Sequence, residues 1–310
     1  MPSKSRIITC RPRSLPQEHW ISAARNAQAI NPLNGAPSQR MGAVMPGFVD
    51  SPLRAAVRIS RYWGTRGVHL TVGFLDNPTK ELQKKILLHM NAWNKTANVH
   101  FSIAKTDPQV RIARIENDPQ NDGYWSYVGT EINEIAPGDP TMNLEGFTIK
   151  TPDSEFRRVV RHETGHTMGF EHEHMRQQLV QRIDVQKAIA FYAADQHWDE
   201  AETRNQVLTP IEASSIRGTA HADPHSIMCY EVPGTITKDG KPIVGGLDID
   251  AMDYAFAELI YPKSVLTSPA DKKRPTKKPA KKPARKTAKK PAGETTKSAK
   301  KSARKATAHR

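Results

Sequence analysis

The sequence predicts an α+β fold on three observations. Apolar and polar residues alternate strictly in short runs such as Val68 to Phe74 and Val99 to Ile103. In other runs apolar residues recur every three or four positions, as at Leu82, Ile86, Met90 and Trp93. The two kinds of run come in the order strand, helix, strands, helix, and a helix-poor region follows. Taken from the N-terminus, residues 1–55 are rich in Pro, Ser, Asn and Gly and carry only short apolar clusters, which makes them an N-terminal extension, partly ordered or a pro-segment. Val68, Leu70, Val72 and Phe74 give a first strand. Asn77-Pro78 offers a cap and a first-turn proline for the helix that carries Leu82 to Trp93. Val99, Phe101 and Ile103 give a second strand, Val110 to Ile115 a third, and residues 123–128 a short one between turn-rich segments. A second helix runs from Asp153 or Ser154 to Met168, with Phe156, Val159, Val160 and Thr167 on its buried side. A third begins near Ile183, and a last, begun near Asp248–Asp250, carries Met252, Phe256, Leu259 and Ile260.

Charge divides the chain more sharply than hydropathy does. The 310 residues carry a formal net charge of +14, yet residues 263–310 alone hold 18 Lys+Arg against 2 Asp+Glu, leaving 28 basic and 30 acidic side chains in residues 1–262. The body is therefore near neutral and the basic character belongs to the tail. That tail repeats a tetrapeptide, Lys277-Lys278-Pro279-Ala280 and its neighbours, with proline every few residues and almost nothing apolar, so it is expected to be disordered. The expected organisation is an extension over 1–55, a folded domain over 56–262 and a basic tail over 263–310. No run approaches the roughly 18 apolar residues of a membrane span, and Met1 to Arg13 lacks the apolar core of about 7–15 residues that a secretory signal needs. Localisation thus stays open between export by another route and action in the cytoplasm, and the sequence assigns no oligomeric state. Cys10 and Cys229 are too few for a disulfide framework.

The chemistry lies in His162-Glu163-Thr164-Gly165-His166. On a helix, positions i and i+4 stand one turn apart on one side, so two imidazoles can share a metal ion while Glu163 beside them accepts a proton from water. Gly169 follows three residues after His166, and His172 three after that. A helix continuing to 172 would carry that histidine off the metal-facing side; glycine allows the positive-φ turn that ends the helix and brings His172 back as a third ligand. Three histidines and one open position mark a catalytic rather than a structural zinc site.

The run from His162 to Arg176 resembles the astacin family of metzincin zinc endopeptidases, whose form is HExxHxxGFxHExxR. Ser226-Ile227-Met228-Cys229-Tyr230 resembles the Met-turn of the same family, Gly123 to Gly129 the approach to its substrate-aligning edge strand, and Leu247 to Pro262 its closing helix. The resemblance implies a zinc-dependent metalloendopeptidase acting on protein or peptide substrates. It implies a metzincin-like fold in which a twisted mixed sheet and two long helices lie above the cleft and an irregular lower part ends in a helix. It further implies His162, His166 and His172 as ligands of one Zn²⁺, Glu163 as general base, Met228 as an apolar floor and Tyr230 as a switchable ligand that stabilises the oxyanion. Cysteine-paired disulfides of the animal members are missing, which makes the chain more similar to cysteine-poor microbial relatives, and Gln177-Gln178-Leu179 replaces the usual acidic stretch after Arg176. Glu173 matches a position that contacts the mature N-terminus in the family, but no maturation site is visible. His174 is assigned to the surface or to a supporting place beside the site, and Cys229 to an inert buried thiol. A cysteine such as Cys10 can block the metal of a latent enzyme, but Thr9-Cys10-Arg11-Pro12 does not match a cysteine-switch motif and is not assigned to the site; Phe48-Val49-Asp50 bears only a faint likeness to an inhibitory aspartate. The competing function is binding of nucleic acid or another anionic surface through residues 263–310, whose composition is similar to linker-histone tails and which would contact phosphates without reading sequence, the protease fold being inactive or secondary.

Overall fold

The structure, a computed structural model, describes residues 10, 13–34, 60–118, 121, 123–211 and 221–263. The chain divides into two units, Met1–Leu266 and Thr267–Arg310. The second unit, and with it the expectation of a disordered tail, lies outside the described residues, as does Phe48-Val49-Asp50.

Five strands, β1 (Val68–Phe74), β2 (Val99–Ile103), β3 (Val110–Ala113), β4 (Tyr124–Ser126) and β5 (Met142–Leu144), form one mixed sheet in the order β2-β1-β3-β5-β4. β1 pairs in parallel with β2 and β3, β3 in parallel with β5, and β5 antiparallel with β4. β4 therefore lies at an edge. β5 adds a strand to those the sequence predicts: three residues are too few to show alternation, and all three are buried between β3 and β4, so no polar position marks a solvent face.

The helices are α1 (Trp20–Ile30), α2 (Lys80–Met90), α3 (Asp153–Glu155, continued by a π-helical turn Phe156–Val160 and by Arg161–Thr167), α4 (Val185–Gln196) and α5 (Ala251–Ile260). α2 begins later than Asn77-Pro78 implies. Asn77 takes a left-handed turn conformation, φ 48°, and Thr79 is the cap because its hydroxyl accepts the Leu82 amide at 3.3 Å. α5 begins with a capping box, Asp250 and Asp253 each accepting the other's backbone amide. One core joins Val68, Leu70 and Val72 of the sheet to Leu82, Ile86 and Met90 of α2 and to Phe156, Val159 and Val160 of α3. Each such burial contributes about 1.5–3 kcal/mol. A second, separate core packs Leu179, Ile183, Tyr192, Trp198, Val207, Cys229 and Ile243. It lies in the region expected to be irregular, where α4 is flanked by short turns and caps. Among the described residues no helix is long and apolar enough to cross a membrane.

Candidate metal centre

α3 is aimed by its neighbours before any ligand is considered. Its C-terminal carbonyls, which have no partner within the helix, accept aromatic side-chain donors: Trp63 Nε1 on Thr167 at 2.9 Å and the Tyr261 hydroxyl on Met168 at 2.5 Å. Trp93 Nε1 donates to the Arg161 carbonyl at 3.0 Å, and the Thr167 and Ser126 hydroxyls meet at 3.1 Å, tying α3 to the edge strand. At Gly165 an added Cβ would stand 2.4 Å from Met228 Sδ, so glycine is what lets the methionine lie against the helix. Gly169 takes φ +100°, and the chain turns back there.

This turn brings His172 to the helix. The Nε2 atoms of His162, His166 and His172 stand 3.0–3.2 Å from one another, and all three rings are buried. His162 Nδ1–H donates to the Ile227 carbonyl at 2.6 Å and His166 Nδ1–H to the Phe170 carbonyl at 2.7 Å. Those bonds fix the tautomers, so the Nε2 atoms of both rings face each other as lone pairs across 3.1 Å, where no hydrogen can bridge them. Burial also lowers the His162 pKa to about 4, which disfavours relief by protonation. A cation resolves the arrangement. Tetrahedral zinc at its usual bond lengths of about 2.0–2.1 Å would hold nitrogens about 3.3–3.4 Å apart, so the donor set fits that ion.

A fourth donor comes from the N-terminal segment. Cys10 Sγ joins the three imidazole nitrogens in a group whose ligand atoms all lie within 4.8 Å of one another. This corrects the sequence reading, which leaves Cys10 away from the site. The cause is strand pairing across 114 positions of sequence: Cys10 bridges to Tyr124 and Arg13 to Tyr127, both in parallel sense, along the open edge of β4. The Arg13 guanidinium lies 4.4 Å over the Trp125 ring and donates to Asn121 Oδ1. Cys10 touches the machinery twice more. Its thiol donates to Glu163 Oε2 at 3.3 Å, and its carbonyl accepts the Tyr230 hydroxyl. Glu163 Oε1 is buried with no hydrogen-bond partner, and burial raises its carboxyl to about 8. A cavity of about 920 Å³ opens beside these groups, lined by Tyr124, Arg158, Val159, Val244 and Leu247 among others.

His174 is not at the surface. It is fully buried outside the ligand group and its ring stacks on Tyr230, centroids 4.0 Å apart. Glu173 accepts the Asp223 amide at 3.0 Å and lines a cavity of about 590 Å³ behind His172. Cys229 is buried and gives its Sγ–H to the Tyr230 carbonyl at 3.5 Å, outside the ligand group, in line with an inert thiol. Sequence reasoning misses Asp253, which holds the Met-turn by accepting the Ser226 hydroxyl at 2.6 Å and the Ile227 amide at 2.9 Å. The only local signal is its place in the first turn of α5.

The profile of the family described as Astacin, a peptidase family, matches residues 56–238. A search of curated proteins found no match. Among solved structures, one titled "Structure of myroilysin" is similar with a TM-score of 0.61 and 28% identity, covering 66% of this chain and 97% of that one. A second, "Crystal structure of myroilysin", has a TM-score of 0.50 at 28% identity over 66% of this chain and 87% of that one. The high choriolytic enzyme 1 of Oryzias latipes, a hatching enzyme zinc-protease, matches with a TM-score of 0.42 and 17% identity over 62% of this chain and 88% of that one.

Proposed function

The chain belongs to the astacin family of zinc metalloendopeptidases, and on that footing we propose that it cleaves peptide bonds at the His162–His166–His172 centre and that its N-terminal segment holds this centre latent. Zinc bound there supplies a Lewis acid and a water acidic enough to be activated near neutral pH. Glu163 takes the proton of the attacking water and returns it to the amine nitrogen as the amide bond breaks, so no acyl-enzyme forms. Tyr230 donates its phenolic hydrogen to the scissile carbonyl oxygen as charge gathers there. Its hydroxyl already donates to a peptide carbonyl, that of Cys10. β4 aligns an extended substrate by main-chain pairing along the edge that Cys10 and Arg13 now occupy.

Latency follows from the same contacts. Cys10 stands at the ligand position that water needs, beside the base and on the oxyanion donor. The observation that carries the catalytic reading is the convergence of three buried Nε2 atoms, two of them with fixed tautomers. The test is metal analysis of the full chain together with hydrolysis of an unbiased peptide library by the wild type and by Cys10→Ala. One zinc per chain and cleavage that rises in Cys10→Ala are expected. A full chain that holds no zinc, or one that cleaves nothing in either form, overturns the catalytic reading; equal cleavage by both forms overturns latency alone.

One observation favours a second activity alongside the first. The 18 Lys+Arg and 2 Asp+Glu of residues 263–310 give a separate, strongly basic segment that attracts nucleic acid or other anionic surfaces.

A further inference from the structure

We infer that His174 is a positioning residue for Tyr230, a shelf that aims the phenol at the scissile carbonyl and so acts on turnover rather than on substrate affinity. The inference deepens the catalytic reading and rests on Tyr230 as the oxyanion donor.

His174 stands two residues after a metal ligand yet offers nothing to the metal group. Its side chain is fully buried. The imidazole plane lies 20° from the Tyr230 plane with centroids 4.0 Å apart, the tightest ring contact that Tyr230 makes. On another side Tyr230 meets the ligand ring of His172 at 4.2 Å and 56°, a tilted contact, and His162 lies further off at 6.3 Å. The phenol thus sits between a ring that the metal holds and a ring that it does not.

The second ring is held independently. His174 Nε2–H donates to the Gln206 carbonyl at 2.9 Å. Gln206 belongs to the π-helical turn Arg204–Leu208, and carbonyls in a last helical turn lack intrahelical partners. The imidazole supplies that partner, which orients its plane, while its Nδ1 has no hydrogen-bond partner among the described residues. A flat, fixed aromatic face suits a tyrosine that must change partners. Stacking is insensitive to sliding within the plane, so the phenol can pass from the Cys10 carbonyl to a substrate carbonyl without losing its support.

The experiment is a double-mutant cycle in the full chain carrying Cys10→Ala, with zinc content, kcat and KM measured for Tyr230→Phe, His174→Ala, His174→Phe and the Tyr230→Phe/His174→Ala pair. Tyr230→Phe should lower kcat by about 10²–10³-fold, the loss typical of one oxyanion donor. His174→Ala should lower kcat by about tenfold with KM and zinc content unchanged, and His174→Phe, which keeps the aromatic face, should recover most of that loss. In the Tyr230→Phe background His174→Ala should cost less than about twofold, since no hydroxyl remains to be aimed. An additive effect of His174→Ala in that background, a matching loss in His174→Phe, or loss of zinc in either variant overturns the positioning role. An unchanged kcat in Tyr230→Phe overturns instead the assignment on which the role rests.

Discussion

Carbon surrounds the active-site helix, whereas the segment that crosses the site is attached largely by hydrogen bonds. α3 buries Phe156, Val159, Val160 and every residue from His162 to Thr167, in one core with α2 and the sheet. From Cys10 to Asn34 the apolar contribution is Leu15, Ala23 and Ala27, small side chains against the surface of the body. The rest is polar: Ser22 and Asn26 on Glu134, Asn31 on the Trp63 carbonyl, and Asn34 closing a two-way pair with the Tyr62 backbone. Water can replace hydrogen bonds one for one, but it cannot replace a core. The segment can therefore leave while the catalytic geometry stays, as a detachable cover requires.

Five experiments probe this contrast between body and cover. The largest effect is expected within the body. Glu163→Gln in the Cys10→Ala full chain should lower kcat by about 10²–10⁴-fold while zinc stays bound; a small change would move the base elsewhere. His172→Ala should weaken zinc affinity by more than the roughly 10–100-fold that loss of an outer partner costs, and His174→Ala should leave it alone; competition against a chelator measures both. On the segment, Cys10→Ala should raise full-chain peptide turnover about tenfold or more, the gain from emptying a closed state that holds about nine molecules in ten. In the wild type the thiol should resist a water-soluble thiol reagent until zinc is removed. Asn34→Ala should loosen the segment by about 1–3 kcal/mol, read as faster hydrogen exchange over α1, with the melting temperature of the body unmoved. An equal fall in that temperature would make the segment part of the body's cooperative unit. Truncation after Pro262 should change peptide turnover least, within about twofold, while removing most DNA affinity. If about ten tail charges meet phosphates, log K of the full chain falls with log salt at a slope near −9. Equal DNA affinity before and after truncation would place the binding in the body.

How much of this is legible in the sequence depends on how local each signal is. His162 and His166 can be paired from spacing because a helix fixes their geometry, and Gly169 announces the turn that returns His172. β1, β2 and α2 declare themselves by period, apart from the first turn of α2, where Thr79 caps in place of Asn77. α1 escapes a reading by period because alanines at 23, 24 and 27 supply the inward positions, and alanine makes a weak apolar stripe. Cys10 has no local signal at all. Its place is set by pairing with β4, and the residues around it encode neither that partner nor the metal. His174 is ambiguous for a similar reason, because its burial depends on a carbonyl 32 residues away.

The π-helical turn at Phe156–Val160 makes the active-site helix a matter of phase. Upstream of it, Phe156, Val159 and Val160 face the core; downstream, His162 and His166 face the metal. A helix advances about 100° per residue, and the wide turn carries one residue more than an α-turn. Deleting a single residue there would let the helix close into regular α geometry and rotate everything after it. The imidazole of His162 would take the direction in which Arg161 now reaches Asp248, and Glu163 would stand where a ligand belongs. Two substitutions in this turn are therefore easier for the lineage to tolerate than one deletion, and the length of the segment between Asp153 and His162 is under tighter constraint than its composition.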